Sequence, residues 1–215
     1  MTKFKTEQET FWAGNFGDEY SRRVGGEGLV AALTALHAQI LRRTIGVKSI
    51  LEFGANIGLN LTALRRLLPT VELSAIEINP VALRTLLDNP EIEKVYPQSI
   101  LEFEPDYQRD FVLIKGVLIH INPLALETVY ERLYRSASKY ICVIEFYNPT
   151  PVVVEYRGHQ DKLYKRDFAG EILDKYPDLH LTDYGFVYWR DSNFAIGDIN
   201  WFLLEKCARN TRVDD

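Results

Sequence analysis

Apolar and polar positions alternate in short blocks that predict strands and helices in turn between residues 48 and 146. Apolar runs predict five strands, at Ser49–Leu51, Val71–Ile76, around Val95, at Phe111–Ile114 and at Tyr140–Phe146. Helical segments are predicted at Asn60–Leu68, at Val81–Leu87 and from Asn122 to about Ser136. Phe111–Ile114 is apolar on both faces, as a central strand of a parallel sheet must be. The alternation therefore predicts a doubly wound, mostly parallel α/β sheet.

The two ends of the chain follow other patterns. Leucines recur on one face of Glu27–Ile45, which predicts an amphipathic helix that ends at Gly46. Before it, Phe11–Tyr20 holds four aromatic residues and two glycines, so it cannot form one regular helix throughout. After the parallel strands, Leu179–Arg190 and Asn200–Lys206 predict an antiparallel hairpin at the sheet edge. We expect one domain of seven strands, with residues 1–46 as arm and lid, 47–146 as core and 147–215 on the substrate side.

Composition narrows the class of protein. A chain of 215 residues is long enough for one large α/β core and too short for two. No apolar run approaches membrane-spanning length, and Met1–Glu7 lacks the apolar core of a signal peptide, so we expect a cytoplasmic protein without a membrane partner. The net charge of −5 disfavours nucleic acid as a partner. Cys142 and Cys207 are too few and too far apart for a metal-binding spacing, and no metal site is predicted.

The segment Ile50–Asn60, Ile-Leu-Glu-Phe-Gly-Ala-Asn-Ile-Gly-Leu-Asn, predicts a strand that runs into a ligand-binding turn. Its glycines allow a tight turn and close approach of a ligand. A dinucleotide fingerprint would need glycine at Asn56 and Leu59, which disfavours a nicotinamide cofactor. Read as [D/E]-x-G-x-G-x-G, with Glu52, Gly54 and Gly58 in place, the segment resembles motif I of class I S-adenosylmethionine-dependent methyltransferases. Asn56 stands at the middle glycine, and Asn tolerates unusual backbone angles.

Further cofactor contacts are predicted beyond this turn. Glu77 ends the second strand, where an acid can accept hydrogen bonds from a ribose diol; the alternative is a carboxylate at a helix start. The superfamily resemblance implies that Gln98–Leu101 meets the adenine ring, with Ser99 where Asp is common. The aromatic segment is either an arm packed on the core or a lid over the cofactor. As a lid, it would place Trp12 and Tyr20 against the cofactor and Arg23 near the cofactor's carboxylate. The candidate cofactor-binding residues are Trp12, Tyr20, Arg23, Glu52, Gly54, Asn56, Gly58, Asn60, Glu77, Ile78, Ser99, Ile100 and Lys115.

His120 is the first candidate for a general base. It follows the fourth strand, next to the point where open α/β sheets bind ligands, and its ordinary pKa lies near neutrality. Glu145 and His159 are the reserve candidates. A structural role for His120, hydrogen-bonded beneath the strand end, is the alternative. Methyl transfer from a sulfonium is an in-line displacement, so much of the protein's task is alignment of the acceptor.

A basic segment follows the fifth strand. Residues 155–168 concentrate Arg157, His159, Lys162, Lys165 and Arg166 in an otherwise acidic chain. Such a run is commonly a solvated helix face. Its position after the fifth strand would instead let it fold over the cofactor end of the sheet, where Arg157 and Arg166 could pair with a carboxylate or phosphate. The candidate substrate-binding residues are Tyr147, Arg157, Lys165 and Arg166.

Runs spread over nearly the whole chain are similar to the pseudaminic acid biosynthesis-associated methylases. They include Phe11–Gly17, Lys115–Pro123, Glu145–Pro151, Tyr156–His159, Leu163–Gly170, Asp183–Phe186 and Trp201–Lys206. The resemblance implies methyl transfer to a bacterial nonulosonic acid sugar, its nucleotide-linked form or a precursor, with S-adenosylmethionine as donor and S-adenosylhomocysteine as product. Two alternatives stay open: a non-catalytic S-adenosylmethionine-binding partner of a sugar-pathway enzyme, and a nicotinamide-dependent sugar oxidoreductase. The acceptor atom and the oligomeric state are not predicted.

Overall fold

Seven strands form the central sheet, in the order of a doubly wound fold. The computed structural model describes residues 4–207; residues 1–3, part of the segment considered for a signal peptide, and residues 208–215 lie outside it. The strands are β1 Ser49–Phe53, β2 Glu72–Glu77, β3 Lys94–Pro97, β4 Arg109–Lys115, β5 Ala137–Glu145, β6 Val152–Tyr156, β7 His159–Lys165, β8 Leu179–Val187 and β9 Ile199–Lys206. The sheet order is β3-β2-β1-β4-β5-β9-β8, while β6 and β7 pair separately.

The pairing confirms the predicted fold class. Strands β1 to β5 pair in parallel, and β9 runs antiparallel to both β5 and β8. The chain moves outward from β1 through β2 to β3, then returns to place β4 on the other side of β1. This reversal makes the carboxyl ends of β1 and β4 the topological switch point, where doubly wound sheets bind ligands.

Helices cover both faces of the sheet. They are α1 Glu7–Ala13, α2 Asn15–Arg23, α3 Glu27–Leu41, α4 Leu59–Leu67, α5 Pro80–Leu87, α6 Leu126–Ser136 and α7 Phe168–Lys175, with 3₁₀ turns at Leu118–His120 and Pro123–Ala125. Alternate side chains of the central strands enter two separate cores: Ile50 and Leu113 pack toward α3 to α5, whereas Phe53 and Val112 pack toward α6 and α7. Strands buried on both faces explain the continuous apolar runs in the sequence.

Helix α3 ends earlier than predicted. It stops at Leu41 rather than Ile45, so Gly46 is not its C-cap, although its φ of 65° is left-handed. The C-cap is Arg42, and the Leu41 carbonyl at the helix end accepts from both the N–H and the hydroxyl of Thr44, at 2.9 and 2.8 Å. Ile45 is 81% exposed, so burial of its side chain does not favour a longer helix.

The basic segment forms a β-hairpin and not a solvated helix. Val152 pairs with Lys165 and Tyr156 with His159, so β6 and β7 run antiparallel. Arg157 and Gly158 form the two-residue turn with φ values of 50° and 81°, the positive pair that tight hairpins favour. The β-branched run Val152–Val154 favours a strand over a helix here.

No single helix within residues 4–207 is long and apolar enough to cross a membrane. Helices α2 and α3 meet the length and composition test only as a pair, and they are bent by 89° at their junction.

Candidate active site

A cavity of about 190 Å³ opens at the carboxyl ends of β1 and β4. Its walls come from the β1–α4 turn, the ends of β2 and β4, the loop after β3, and helices α1 and α2, which we call the N-terminal helix pair. The following predicted site residues line it: Trp12, Tyr20, Glu52, Gly54, Asn56, Asn60, Glu77, Ile78, Ser99, Ile100, Lys115 and His120. The structure therefore brings most of the predicted cofactor set and one predicted base to one place.

The β1–α4 turn has the left-handed backbone that its sequence predicted. Asn56 occupies the middle glycine position with a φ of 49°, and its Oδ1 accepts from the Ile57 N–H at 2.6 Å. Gly54 has a φ of 73°, and a Cβ there would lie 2.7 Å from a Val117 methyl. Gly58, with a φ of 81°, does not line the cavity. A Cβ at Gly58 would lie 2.9 Å from a Leu86 methyl, so this glycine allows α4 to approach α5.

Glu77 joins the turn to the end of β2. Its Oε2 accepts from the Asn56 N–H at 2.7 Å, and its Oε1 accepts from the N–H groups of Ile78 and Asn79 at 2.8 and 2.7 Å. Burial raises the pKa of this carboxyl, and the three backbone donors oppose the rise. The first turn of α5 is capped by Asn79, whose Oδ1 accepts from Val81 and Ala82. Glu77 is therefore not the helix cap, and its carboxylate is held at the cavity wall.

A chain of buried polar groups lies beneath the turn. Asn60 donates through Nδ2 to Glu52 Oε1 at 2.6 Å, so its Oδ1 accepts from His37 Nε2 at 3.1 Å. Burial lowers the pKa of His37 to about 4 and raises that of Glu52 to about 8. Within residues 4–207, Glu52 Oε2 has no hydrogen-bond partner. Glu52 lines the cavity, and a donor on a bound ligand would satisfy this buried oxygen.

Lys115 ends β4 between two buried acids. Burial lowers its pKa, whereas the charges of Glu52 and Glu145 raise it. Glu145 Oε1 accepts from the N–H groups of Val117 and Leu118, both at 2.8 Å, and burial raises its pKa to about 7. Glu145 does not line the cavity. Its position supports a role in fixing the loop after β4 and gives no support to a role as the base.

His120 lines the cavity from the 3₁₀ turn after β4. Its Nδ1 lies 2.5 Å from the Lys162 carbonyl, and because a carbonyl only accepts, Nδ1 must carry the hydrogen. In the neutral ring Nε2 is then an unprotonated acceptor. Burial lowers the pKa of His120 to about 4, so the ring is neutral at physiological pH. The Lys162 carbonyl is a structural partner, yet it leaves Nε2 able to take a proton.

The N-terminal helix pair covers the cavity. Gly14 ends α1 and begins α2, which confirms that the aromatic segment is not one regular helix. Gly17 lies inside α2, where a Cβ would come within 1.8 Å of the Trp12 carbonyl oxygen. The rings of Trp12 and Tyr20 meet edge to face with centroids 5.4 Å apart. Trp12 also lies against His120, with ring centroids 4.6 Å apart.

Several predicted residues lie outside the cavity lining. Arg23 sits 5.8 Å over the Tyr20 ring, and His159 packs on Phe11 with centroids 5.0 Å apart. Arg166 pairs with Glu171, Lys165 lies 5.2 Å over the Phe146 ring, and Tyr147 packs on Phe202 at 6.0 Å. Arg157 lies 5.7 Å over the Tyr156 ring at the hairpin tip. Most of the predicted substrate-binding side chains therefore pack against, or form an ion pair with, other residues of this chain.

The cavity lining includes residues that the sequence did not predict, among them two polar side chains of helix α1. Glu9 lines the cavity and accepts a short hydrogen bond from the Ser99 hydroxyl. Gln8 lines it as well, and donates to the Asp161 carbonyl of the hairpin at 3.1 Å. The sequence signal for these residues is the capping-box pattern from Thr6 to Glu9, which marks the start of a helix. Within residues 4–207, no group of three His, Cys, Asp or Glu side chains could hold a metal ion.

The chain is similar in fold to solved S-adenosylmethionine-dependent methyltransferases. A 1,6-didemethyltoxoflavin N1-methyltransferase from Burkholderia thailandensis, with S-adenosylhomocysteine bound, aligns over 93% of this chain and 87% of its own, with a TM-score of 0.67 and 14% identity. The magnesium protoporphyrin IX methyltransferase from Synechocystis PCC 6803, with S-adenosylmethionine bound, aligns over 95% and 100%, with a TM-score of 0.63 and 13% identity. A plantazolicin methyltransferase, with S-adenosylhomocysteine bound, aligns over 94% of each chain, with a TM-score of 0.64 and 14% identity.

No protein-family model matches the chain, and no curated protein matches it. At these identities the structural likeness defines the fold alone. The chain has the Rossmann-like fold of class I methyltransferases, as its sequence predicted.

Proposed function

We propose that the protein is an S-adenosylmethionine-dependent methyltransferase whose acceptor is a small anionic sugar of the nonulosonic acid type, its nucleotide-linked form or a precursor. The position of Glu77 carries the cofactor assignment. Its carboxylate is tied to the N–H of Asn56 in the left-handed turn, at the switch point of the sheet. Solved enzymes of the same fold hold S-adenosylmethionine or S-adenosylhomocysteine.

The cavity residues suit the separate parts of this cofactor. Backbone N–H groups take both acceptor sites of Glu77 Oε1 and one of Oε2, so the carboxylate retains about one site, on Oε2, for a ribose hydroxyl. Glu52 Oε2, unpartnered within residues 4–207, suits an ammonium group. Ile78 and Ile100 line the cavity beyond Glu77 and offer apolar surface to a flat base. When bound, S-adenosylmethionine supplies an electrophilic methyl group on a sulfonium.

His120 is the group that we assign to proton removal from the acceptor. Its neutral ring presents Nε2 as the acceptor, because Nδ1 donates to the Lys162 carbonyl. That carbonyl belongs to the hairpin, so β7 fixes both the tautomer and the ring orientation. Trp12 and Tyr156 flank the ring at centroid distances of 4.6 and 4.9 Å. These two rings limit the access of water to Nε2, so that this atom can accept a proton from a hydroxyl or amine of the bound acceptor.

Two guanidinium groups support an anionic acceptor. Burial and the neighbouring Tyr156 raise the pKa of Tyr20, while the charges of Arg157 and Arg23 oppose the rise, so both cations act on one hydroxyl of the cavity wall. Within residues 4–207 neither arginine forms an ion pair with a carboxylate. The carboxylate of an acidic sugar bound between the two arginines would form the ion pairs that they lack. The family resemblance of the Tyr156–His159 turn agrees with this substrate class.

The test is methyl transfer with the purified protein. Labelled S-adenosylmethionine is incubated with free and nucleotide-linked nonulosonic acids and with their uncharged analogues, and the products are read by mass spectrometry. We expect label on the acidic sugars, and less of it with Arg157→Ala. Transfer to none of them, with tight cofactor binding retained, would favour a non-catalytic binding partner. No binding of S-adenosylhomocysteine by calorimetry would refute the proposal at its first step.

A further inference from the structure

The part of the cavity lining next to the carboxyl ends of β2 and β3 is mostly apolar. Its apolar side chains come from Ile76, Ile78, Ile100 and Leu101. The polar groups in this part come from Gln98 and Ser99 and from Glu9, which belongs to helix α1. An apolar slot with a few polar groups at its edge can bind a ring and also select its hydrogen-bonding pattern.

Glu9 is a buried carboxylate with spare acceptor capacity. It is only 7% exposed. Its Oε2 accepts from the N–H and the hydroxyl of Thr6 at 2.8 and 3.1 Å, whereas its Oε1 accepts from Ser99 Oγ alone. No cation of residues 4–207 forms an ion pair with it. A buried carboxylate without a cation is costly unless further donors reach it, so a donor on a ligand is expected at Oε1.

Ser99 is a weaker acceptor than Glu9 at this position, because its neutral hydroxyl oxygen already accepts one hydrogen bond and has one lone pair left. Its hydroxyl hydrogen is given to Glu9, and its oxygen accepts from the Leu101 N–H at 3.0 Å. Ser99 instead orients the carboxylate toward this part of the cavity. The neighbouring N–H of Ile100 donates to no acceptor within residues 4–207. Helix α1 thus offers a carboxylate acceptor, bound to Ser99, and the loop offers a backbone donor at the next residue, Ile100.

We propose that Glu9 Oε1 accepts a hydrogen bond from the exocyclic amine of the cofactor's adenine, which makes the N-terminal helix pair part of the cofactor site. The inference rests on the proposed function. Adenine presents an amine donor beside a ring-nitrogen acceptor, which complements Glu9 and the Ile100 N–H. Hypoxanthine presents a carbonyl beside an N–H and would oppose both groups. The carboxylate of Glu9 therefore selects the amine-bearing base.

Helix α1, which carries Glu9, also contacts the acceptor side of the site. It reaches the hairpin, because Gln8 donates to the Asp161 carbonyl and Glu7 pairs with Lys162 at 3.2 Å. The Lys162 carbonyl in turn holds His120. Glu9, the hairpin and His120 are thus connected through one set of contacts.

The test is a comparison of two ligands by calorimetry: S-adenosylhomocysteine and S-inosylhomocysteine, which differs only in the base. Wild-type protein is expected to prefer the adenine compound by roughly 100-fold. Glu9→Gln keeps the capping box, since Gln also serves at that position, and can donate to a carbonyl. It is expected to reduce the preference at least about tenfold. Ser99→Ala leaves the capping box untouched and is expected to reduce it in the same direction.

The matched control is Glu19→Gln, the same chemical change at an exposed position of α2 that does not line the cavity. It is expected to leave both affinities at the wild-type values. Wild-type preference retained in both Glu9→Gln and Ser99→Ala would overturn the inference and leave the proposed function standing. Failure of the wild-type protein to bind either nucleoside would instead refute the proposed function, and the inference with it.

Discussion

The side-chain amide of Asn79 donates through Nδ2 to the backbone carbonyl of Trp12 at 3.0 Å. The same nitrogen donates to Asp18 Oδ1 at 2.8 Å, and the amide oxygen caps α5. One side chain therefore fastens both N-terminal helices to the end of β2, next to Glu77. Because Asn79 is 3% exposed, water cannot readily replace these bonds.

Asn79→Asp is expected to loosen the N-terminal helix pair without uncapping α5. A carboxylate can still cap the helix, but it turns an acceptor toward the Trp12 carbonyl and toward the Asp18 carboxylate. We expect a loss of about 1–3 kcal/mol in unfolding free energy in urea. Asn89→Asp is the control, since Asn89 Oδ1 accepts from Glu91 N–H at an exposed turn. Equal stability losses in the two variants would contradict the special role of Asn79.

His120→Gln is expected to lower turnover by about 10²–10⁴-fold, the usual contribution of a positioned base. Affinity for S-adenosylhomocysteine should stay close to the wild-type value, because we assign His120 to the acceptor. The base must be unprotonated, so wild-type turnover at saturating cofactor should fall only as the pH drops through about 4, the lowered pKa of this residue. A rate that already falls at pH 6.5 would show that a different, less buried group accepts the proton.

The local parts of the site were readable from the sequence, and the long-range parts were not. Asn56 predicted a left-handed residue in the turn, and Asn79 with Pro80 predicted the start of α5, because each signal lies within a few neighbouring residues. The bond between Glu9 and Ser99 spans 90 positions, and no local pattern encodes it. The alternative of a solvated helix face for the basic segment is wrong for a related reason. The charged residues carry no information about strand pairing, and the residues that favour the strand and the turn are Val152–Val154 and Gly158.

Some of the sequence runs that carry the family resemblance have structural roles in this chain. Asp167 caps α7 through the Gly170 N–H at 2.8 Å, and Arg166 pairs with Glu171 on that helix. A Cβ at Gly185 would lie 2.6 Å from the Trp201 indole nitrogen, so that glycine allows the ring to pack between strands. A characteristic run thus identifies shared structure as readily as a shared substrate contact.

Stability is expected to fall as the pH rises from 6.5 to 8. Burial raises the folded-state pKa of Glu52 to about 8 and that of Glu145 to about 7, from 4.5. A carboxyl with a raised pKa stabilises the fold fully below pH 4.5, and that stability is lost as the pH rises through the folded-state value. His37 and His120, with pKa values lowered from 6.5 to about 4, contribute stability above pH 6.5 that is lost on acidification.

Between pH 6.5 and 8 the carboxyls outweigh the histidines, because an unfolded histidine with a pKa of 6.5 is already half deprotonated at the start of this interval. The Glu52 contribution should fall by about 2 kcal/mol over this interval, at about 1.4 kcal/mol per pH unit. Urea unfolding at the two pH values measures it. Glu52→Gln resembles the protonated acid and can still accept from Asn60, so it should remove the Glu52 share of the pH dependence. An unchanged pH dependence in Glu52→Gln would contradict the raised pKa.

Cofactor binding is expected to release a proton from Glu52. At pH 6.5 this carboxyl is protonated in the free protein, and a cationic ammonium placed beside it favours the ionised form. Affinity for S-adenosylhomocysteine should therefore rise roughly tenfold per pH unit up to about pH 8 and then level off. Calorimetry in buffers with different ionisation enthalpies counts the released protons. Glu52→Gln should bind more weakly without this pH dependence, whereas Glu19→Gln should retain it. Proton release that persists in Glu52→Gln would assign it to another acid and remove Glu52 from the cofactor site.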